Sequence, residues 1–117
     1  MIINMLQNMI ENENCRLTHC IQTWDFLYIT DAIESIVALI EIPCQNGIYN
    51  VGSVISLPLK EFVLEMYRIA NSRSIPYPQS GMVSIEPVVS KLKYQTGWCP
   101  KVSFSEGINM IIKSLVL

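Results

Sequence analysis

The sequence has little charge. Asp, Glu, Lys and Arg together make up 15% of its 117 residues, while 50% of the residues are hydrophobic. An average soluble domain carries roughly 25% charged residues. The formal net charge is −2, and this lack of a basic excess argues against a protein that binds nucleic acid by electrostatic attraction. The apolar composition also excludes an intrinsically disordered chain, so we expect one globular domain with little polar surface.

The sequence also lacks a long apolar run. Glu34 and Glu41 interrupt its most hydrophobic stretch, whereas a membrane-spanning helix needs about 20 consecutive apolar residues. The first residues show no basic flank followed by an apolar core, so no secretory signal is recognised. We therefore expect a cytoplasmic globular chain with no membrane segment.

Residue patterns for catalysis are missing as well. The five glycines are isolated, and neither GxGxxG nor GxxxxGK[ST] occurs, so no phosphate-binding loop is predicted. His19 is the only histidine and no GxSxG motif accompanies it. Asp25 and Asp31 flank a predicted strand, where we expect a loop anchor and a helix cap rather than an acid/base pair. No catalytic or cofactor-binding residue is predicted in this chain.

The cysteines do not form a metal-binding or disulfide pattern. The four, at positions 15, 20, 44 and 99, contain no CxxC pair. Cys15, His19 and Cys20 could share a metal ion, but neighbouring side chains on a strand point to opposite faces. Reduced, partly buried thiols are the favoured interpretation, and no metal site is predicted.

Hydrophobic periodicity predicts an α/β chain. Apolar residues recur at helical spacing over 1–13 and 57–71. Further helices are predicted over 31–42, 90–96 and from 103 onwards, and strands over 15–19, 25–29, 48–51 and within 82–89, with a proline-containing loop over 75–81. Asp31 with Glu34 and Ser103 with Glu106 have capping-box spacing. Ser90 is predicted to cap the fourth helix and Gly97 to end it.

The predicted helix over 31–42 carries apolar residues on more than one side, which indicates burial on two sides. It stands between the predicted strands over 25–29 and 48–51. A strand, a buried helix and a second strand in this order are typical of a βαβ crossover with parallel strands.

Three segments resemble motifs of one enzyme family. Residues 22–32, QTWDFLYITDA, resemble Q-x-R-D-(F/Y/W)-(L/I/V)-(Y/H)-V-x-D-(A/V), and residues 48–53, IYNVGS, resemble Y-N-(I/L/V)-G-(S/T/G). Residues 90–92, SKL, together with 96–108, TGWCPKVSFSEGI, resemble the segment S-K-(L/A) … G-(W/F)-x-P-x-(V/T)-S-(F/L)-E-E-G-(I/L). These motifs belong to the extended short-chain dehydrogenases/reductases, the NAD(P)-dependent nucleotide-sugar epimerases and dehydratases.

The resemblance implies that residues 1–117 are the C-terminal substrate-binding lobe of such an enzyme. The N-terminal dinucleotide-binding domain, with its G-x-x-G-x-x-G loop and Tyr-x-x-x-Lys pair, is absent from these residues. Residues 25–53 would then pack on the Rossmann sheet of that absent domain. NAD or NADP would serve the full-length enzyme, and this chain alone would be inactive. A Rossmann-domain partner, or a homo-oligomer formed through exposed apolar faces, is implied.

The resemblance also indicates where a nucleotide-sugar would bind. The family commonly has a diphosphate-binding Arg at the position of Trp24, an Asp at that of Val88, and a second Arg within a segment that here, over 79–88, has none. Trp cannot supply a charged contact, although it could stack on a base or a sugar. The substrate-binding residues implied by motif position are Leu17, Trp24, Phe26 and Gln79. Alternatively, Trp24 and Phe26 are simply core residues.

A second function remains open from the sequence. The apolar faces could instead make the chain a non-catalytic, self-associating interaction module.

Overall fold

A computed structural model of the protein describes residues 1–73, 77–79 (backbone only) and 84–116. The helices in these ranges are α1 (Ile2–Ile10), α2 (Ile29–Glu41), α3 (Leu59–Ala70), α4 (Ser90–Thr96) and α5 (Phe104–Leu115). The strands are β1 (Arg16–Thr18), β2 (Thr23–Asp25), β3 (Ser56–Pro58) and β4 (Tyr77–Gln79). The predicted α/β fold class is confirmed.

The core is formed by the apolar faces of α1, α3 and α5, which pack on one another. Most of the buried core residues belong to the apolar stripes predicted for these helices. They include Leu6, Met9, Val63, Met66 and Ile108. Leu17 on β1 and the thiols of Cys15 and Cys20 join the same cluster. The predicted helices over 1–13 and 57–71 are therefore confirmed, each a few residues shorter than its apolar pattern.

The strands form two short pairs. β1 pairs with β4 in parallel, with Arg16 opposite Tyr77 and Thr18 opposite Gln79, and β2 pairs with β3 antiparallel. The strand predicted over 15–19 is confirmed. The one predicted over 25–29 is wrong except at Asp25, because β2 ends there and α2 begins at Ile29. Residues 77–79 of the predicted proline-containing loop form β4. The other residues of that loop lie outside the described residues, as do positions 82–83 of the strand predicted within 82–89. The described remainder of that segment, 84–89, contains no strand.

The expected parallel crossover over 25–53 is not formed within the described ranges, because 48–51 is not a strand. A strand needs a neighbour that accepts and donates its backbone hydrogen bonds, and none lies beside this segment in the described part of the chain. The segment 48–51 is instead contacted by the side chain of Lys91. The Lys91 ammonium donates to the carbonyl oxygen of Ile48 at 2.9 Å and lies 4.3 Å from the ring centroid of Tyr49.

Helix α2 carries an exposed apolar face, which we call the α2 face. It consists of Ile29, Ile33, Ile36, Val37 and Ile40, with exposed fractions from 42% to 78%. The prediction that this helix is buried on two sides is wrong for the described chain, since only Asp31 and Ser35 of α2 are buried. No helix in the described ranges combines the length and the hydrophobicity that a membrane span needs.

The capping box predicted for Asp31 and Glu34 is also wrong. Helix α2 begins at Ile29, and Tyr28 is its N-cap residue, so Asp31 lies inside the first turn. Its buried carboxylate accepts hydrogen bonds from the backbone N–H groups of Lys101 (3.0 Å) and Val102 (2.8 Å). Glu34 forms an exposed ion pair with the Lys101 ammonium at 3.1 Å. Both acidic residues therefore join α2 to the segment that precedes α5.

The ends of the last two helices follow the sequence closely. Gly97 ends α4 with φ +74°, a left-handed conformation that glycine adopts without steric cost. Ser90 is the first residue of α4 rather than its cap. Ser103 and Glu106 form the predicted capping box at the start of α5.

Candidate functional site

An open groove of about 780 Å³ lies between the start of α1, the connection from β2 to α2, and the start of α5. We call it the aromatic groove. The large side chains in its lining include Ile2, Trp24, Phe26, Tyr28, Phe104 and Ile111. None of the residues that line it carries a charged side chain.

The strand β2 positions Trp24 and Phe26. Trp24 lies opposite Leu57 in the pairing of β2 with β3, and the rings of Trp24 and Phe26 are 6.4 Å apart. Phe26 packs edge-on against Phe62 at 5.0 Å and lies 5.6 Å from Phe104. Aromatic pairs at such distances contribute about 0.5–1.5 kcal/mol beyond the area that they bury. The wall of the groove is thus continuous with the core.

Asp25, between the two aromatic residues, fixes the end of β2. One carboxylate oxygen accepts a hydrogen bond from the Ser53 backbone N–H at 2.8 Å, and the other accepts from the Ser56 hydroxyl at 3.5 Å. The prediction that Asp25 is a loop anchor is confirmed.

Ser103 and Phe104, at the start of α5, also line the groove, and Ser103 belongs to the capping box of this helix. The Ser103 hydroxyl accepts from the backbone N–H of Glu106 at 3.3 Å, and the Glu106 carboxylate accepts from the Ser103 N–H at 2.8 Å. These bonds from the backbone and the side chain of Ser103 lower the pKa of Glu106. Phe104, the first residue of the helix, is thereby held against Phe62 with a ring separation of 4.7 Å.

A second pocket, of about 480 Å³, adjoins the aromatic groove and shares Met1 and Asn4 with it. We call it the polar pocket. Its lining includes Asn4, Asn8, Asn14, Arg16, Thr18 and Gln22. Leu17 also lines this pocket, although its side chain is only 7% exposed.

Three of the four substrate-binding residues implied by the resemblance line one of the two pockets. Trp24 and Phe26 line the aromatic groove, and Leu17 lines the polar pocket beside it. Gln79 lies in β4 opposite Thr18, and its side chain is outside the described residues. Trp24 and Phe26 are half-buried and also pack against the core, so the core interpretation and the groove interpretation both describe part of their environment.

Sequence reasoning missed other lining residues. Tyr28, Phe104 and Gln22 belong to the quoted motifs but were not assigned to a pocket, and Arg16 lies just before Leu17 on β1. Strand alternation from Leu17 could not have found Arg16, because Arg16 and Thr18 share the face of the strand opposite to Leu17.

Catalytic, metal and cofactor groups do not converge in the described residues. Asp25 and Asp31 each bind backbone groups of separate loops. Cys15 and Cys20 are buried whereas His19 is exposed, and no three His, Cys, Asp or Glu in the described ranges could hold a metal ion. The described cysteines are free thiols. These 117 residues contain no glycine-rich loop and no Tyr-x-x-x-Lys pair.

Comparison with known proteins gives consistent similarities, although no family model matches the chain. The chain is 35% identical over 98 residues to UDP-glucuronic acid decarboxylase 1 of Arabidopsis thaliana, across 78% of this chain and 22% of that protein. It is 24% identical over 95 residues to the dTDP-4-dehydro-6-deoxyglucose reductase of Escherichia coli, across 78% of this chain and 30% of that protein. The chain thus spans less than a third of the length of these curated relatives.

The fold is shared with solved enzymes of the same kind. The structure of UDP-glucose 4-epimerase from Thermotoga maritima, solved with UDP-glucose, superimposes with a TM-score of 0.86 at 21% identity, covering 98% of this chain and 38% of that one. Its likeness establishes the fold alone. These similarities are consistent with a fragment of an extended short-chain dehydrogenase/reductase, the family of NAD-dependent nucleotide-sugar epimerases and dehydratases whose motifs the sequence resembles.

Proposed function

We propose that the chain is the nucleotide-sugar-binding part of an NAD(P)-dependent epimerase, dehydratase or related oxidoreductase. The observation that carries this proposal is that Trp24 and Phe26, which the family motif assigns to substrate binding, line one open groove. The cofactor loop and the Tyr-x-x-x-Lys pair are not among these residues, so the chain binds substrate but does not turn it over alone.

The aromatic groove suits the uncharged parts of a nucleotide-sugar. The faces of Trp24 and Phe26 can stack on a base or on the apolar face of a sugar ring. The adjoining polar pocket supplies amide groups that can hydrogen-bond hydroxyl groups of the ligand.

The α2 face supports the proposed partner. Several isoleucines exposed on one helix are an unusual feature of a monomeric surface, and they belong to the segment 25–53 that the resemblance assigns to the Rossmann interface. We propose that a dinucleotide-binding domain, which holds NAD or NADP, covers this face. A cytoplasmic location is part of the same proposal, and the free cysteines are compatible with it.

Calorimetry with a UDP-sugar and with NAD tests the proposal on the 117-residue chain. We expect binding of the UDP-sugar, about tenfold weaker in Trp24→Ala because one stacking contact contributes about 1–3 kcal/mol. Tyr94→Ala is the matched control, since Tyr94 is 87% exposed and does not line the groove. Micromolar affinity for NAD, or equal UDP-sugar affinity of the Trp24→Ala variant and the wild type, contradicts the proposal.

The alternative is a non-catalytic, self-associating module, and the α2 face is the observation that favours it. Two copies would then cover each other's isoleucines. Light scattering distinguishes the alternatives: a dimer that Ile36→Lys converts to a monomer, without UDP-sugar binding by either form, supports the module. A monomer at high concentration contradicts it.

A further inference from the structure

The segment 48–51 directly follows the only Asn-Gly pair of the sequence, Asn46 and Gly47. Both residues are exposed and lie outside the helices and strands. Gly47 has φ +147°, a backbone conformation that residues with a side chain rarely adopt. The second residue of the pair therefore leaves the backbone between the two uncovered by any side chain of its own.

The two groups of this pair that can react with each other are both free. In the described part of the chain, neither the side-chain amide of Asn46 nor the backbone N–H of Gly47 forms a hydrogen bond. Attack of a backbone nitrogen on the preceding side-chain amide needs this freedom, because the N–H must give up its proton. By contrast, the N–H groups that follow Asn12 and Asn71 donate to helix carbonyl oxygens at 2.7 and 3.2 Å.

The ammonium of Lys91 lies beside Gly47. It donates to the carbonyl oxygen of Ile48 at 2.9 Å, and a Cβ atom built on Gly47 would lie only 2.8 Å from it. No carboxylate of the described residues forms an ion pair with this ammonium. A nearby positive charge stabilises an amide nitrogen that loses its proton, and it stabilises the oxyanion formed by the attack. Lys91 is therefore placed to promote a reaction between Gly47 and Asn46.

We propose that Asn46 is a site of spontaneous deamidation, which Lys91 promotes. The backbone nitrogen of Gly47 bonds to Cγ of Asn46, and its proton passes through water to the side-chain nitrogen, which leaves as ammonia. The product is a cyclic succinimide. Water then adds to one of the two ring carbonyl carbons, and the bond from that carbon to the ring nitrogen breaks. Aspartate or isoaspartate results, so the whole reaction consumes one water molecule and releases one ammonia.

The modification changes the contacts of the segment 48–51. A carboxylate is a stronger hydrogen-bond acceptor for an ammonium than a carbonyl oxygen is, so we expect the new carboxylate to compete with Ile48 for Lys91. Isoaspartate also adds one carbon atom to the backbone, which displaces Gly47 from the ammonium. The reaction itself needs neither a nucleotide-sugar nor a partner domain, so it is independent of the proposed function.

Mass spectrometry of the 117-residue chain tests the proposal after incubation at neutral pH and digestion with an acid protease. We expect the peptide with Asn46 to show the mass increase of an –NH₂ group replaced by –OH. It should appear at least about tenfold faster than at Asn12 or Asn71, because the N–H groups after those two residues must first break their hydrogen bonds. Asn46→Gln, whose amide would have to close a larger ring, is expected to lose the reaction.

Variants of Lys91 test its part in the reaction. Lys91→Met, which removes the charge but keeps a long unbranched side chain, is expected to react severalfold more slowly, whereas Lys91→Arg keeps the wild-type rate. Lys93→Met is the matched control, because Lys93 is an exposed lysine of the same helix. Added salt is expected to slow the wild type but not Lys91→Met, an effect that a merely structural contact would not show.

The outcomes that would overturn the proposal are distinct. Equal rates at Asn46, Asn12 and Asn71 would mean that the Asn-Gly pair is not a modification site. A rate in Lys91→Met that equals or exceeds the wild-type rate would mean that Lys91 only restrains the segment and does not promote the reaction. Urea unfolding of each variant verifies that a changed rate is not the result of a lost fold.

Discussion

The carboxylate of Asp31 lies 2.8 Å from the backbone nitrogen of Val102, a residue 71 positions later in the chain. Asp31 is 1% exposed, so the contact is inside the protein. The same oxygen also accepts from the N–H of Lys101. One side chain thus attaches α2 to the segment that leads into the wall of the aromatic groove.

Replacing Asp31 by Leu is expected to lower the free energy of unfolding by about 3 kcal/mol, because two backbone N–H groups lose a charged acceptor. Asp31→Asn, which keeps an acceptor but not its charge, is expected to cost about 1–2 kcal/mol. Urea denaturation measures both. Glu34→Gln, which breaks only the exposed ion pair with Lys101, should cost less than about 1 kcal/mol. If Asp31→Asn is neutral, the charge of the Asp31 carboxylate does not strengthen these two hydrogen bonds, and the prediction is wrong.

The two serines at the starts of α4 and α5 should differ in their effect on stability. Ser103→Ala removes the capping box and is expected to cost about 1 kcal/mol. Ser90→Ala is expected to be neutral, because Ser90 is inside α4 and makes no cap hydrogen bond. Thermal unfolding of the two variants compares them, and equal destabilisation would contradict the assignment.

Glu65 should make stability depend on pH in acid. The guanidinium of Arg68 and the hydroxyl of Ser105 hydrogen-bond its carboxylate and lower its pKa to about 2, whereas in the unfolded chain it titrates near 4.5. The folded state therefore gains stability from this group above about pH 4.5 and loses that gain as the pH falls toward 2. Urea unfolding across this range should show a smaller slope for Glu65→Gln than for the wild type.

The control for this experiment is Glu61→Gln, which removes an exposed carboxylate from the same helix. It is expected to keep the wild-type slope. A carboxyl signal of Glu65 that titrates near 4.5 in NMR spectra of the folded protein would disprove the prediction.

The α2 face should tolerate charge in the isolated chain. Ile36 is 56% exposed, so Ile36→Lys is expected to change the free energy of unfolding by less than about 0.5 kcal/mol. Phe62 is 4% exposed, and Phe62→Ala should cost about 3–5 kcal/mol. Urea unfolding compares the two. A large loss of stability in Ile36→Lys would mean that the face is already covered in the protein as it exists in solution.

Helices α1, α3 and α5 were predictable from the sequence, because each carries an apolar stripe that packs against the other two helices. The capping box of Ser103 and Glu106 was also predictable, because its spacing is local. The conformation of the segment 48–51 was not predictable, because a run of β-branched and aromatic residues becomes a strand only where another strand lies beside it. Asp31 was also misassigned, since the capping spacing is local while its hydrogen-bond partners come from a distant segment.

The site was predictable in part. Trp24 and Phe26 follow from their motif positions, and both line the aromatic groove. Arg16 and Gln22 were not identified as lining residues of one pocket, because the placement of Gln22 depends on its contacts with Thr18 and Leu59. Such contacts arise from tertiary packing and leave no local pattern.

The parallel pairing of β1 with β4 has a consequence for the order of folding. The two strands are separated in sequence by β2, α2, β3 and α3, so a long loop must close before their first hydrogen bond forms. Contacts of this kind slow the search for the native state. We therefore expect the packing of α3 on α5 to precede β1–β4 pairing, with Leu17 reaching its final register among the last residues of the core.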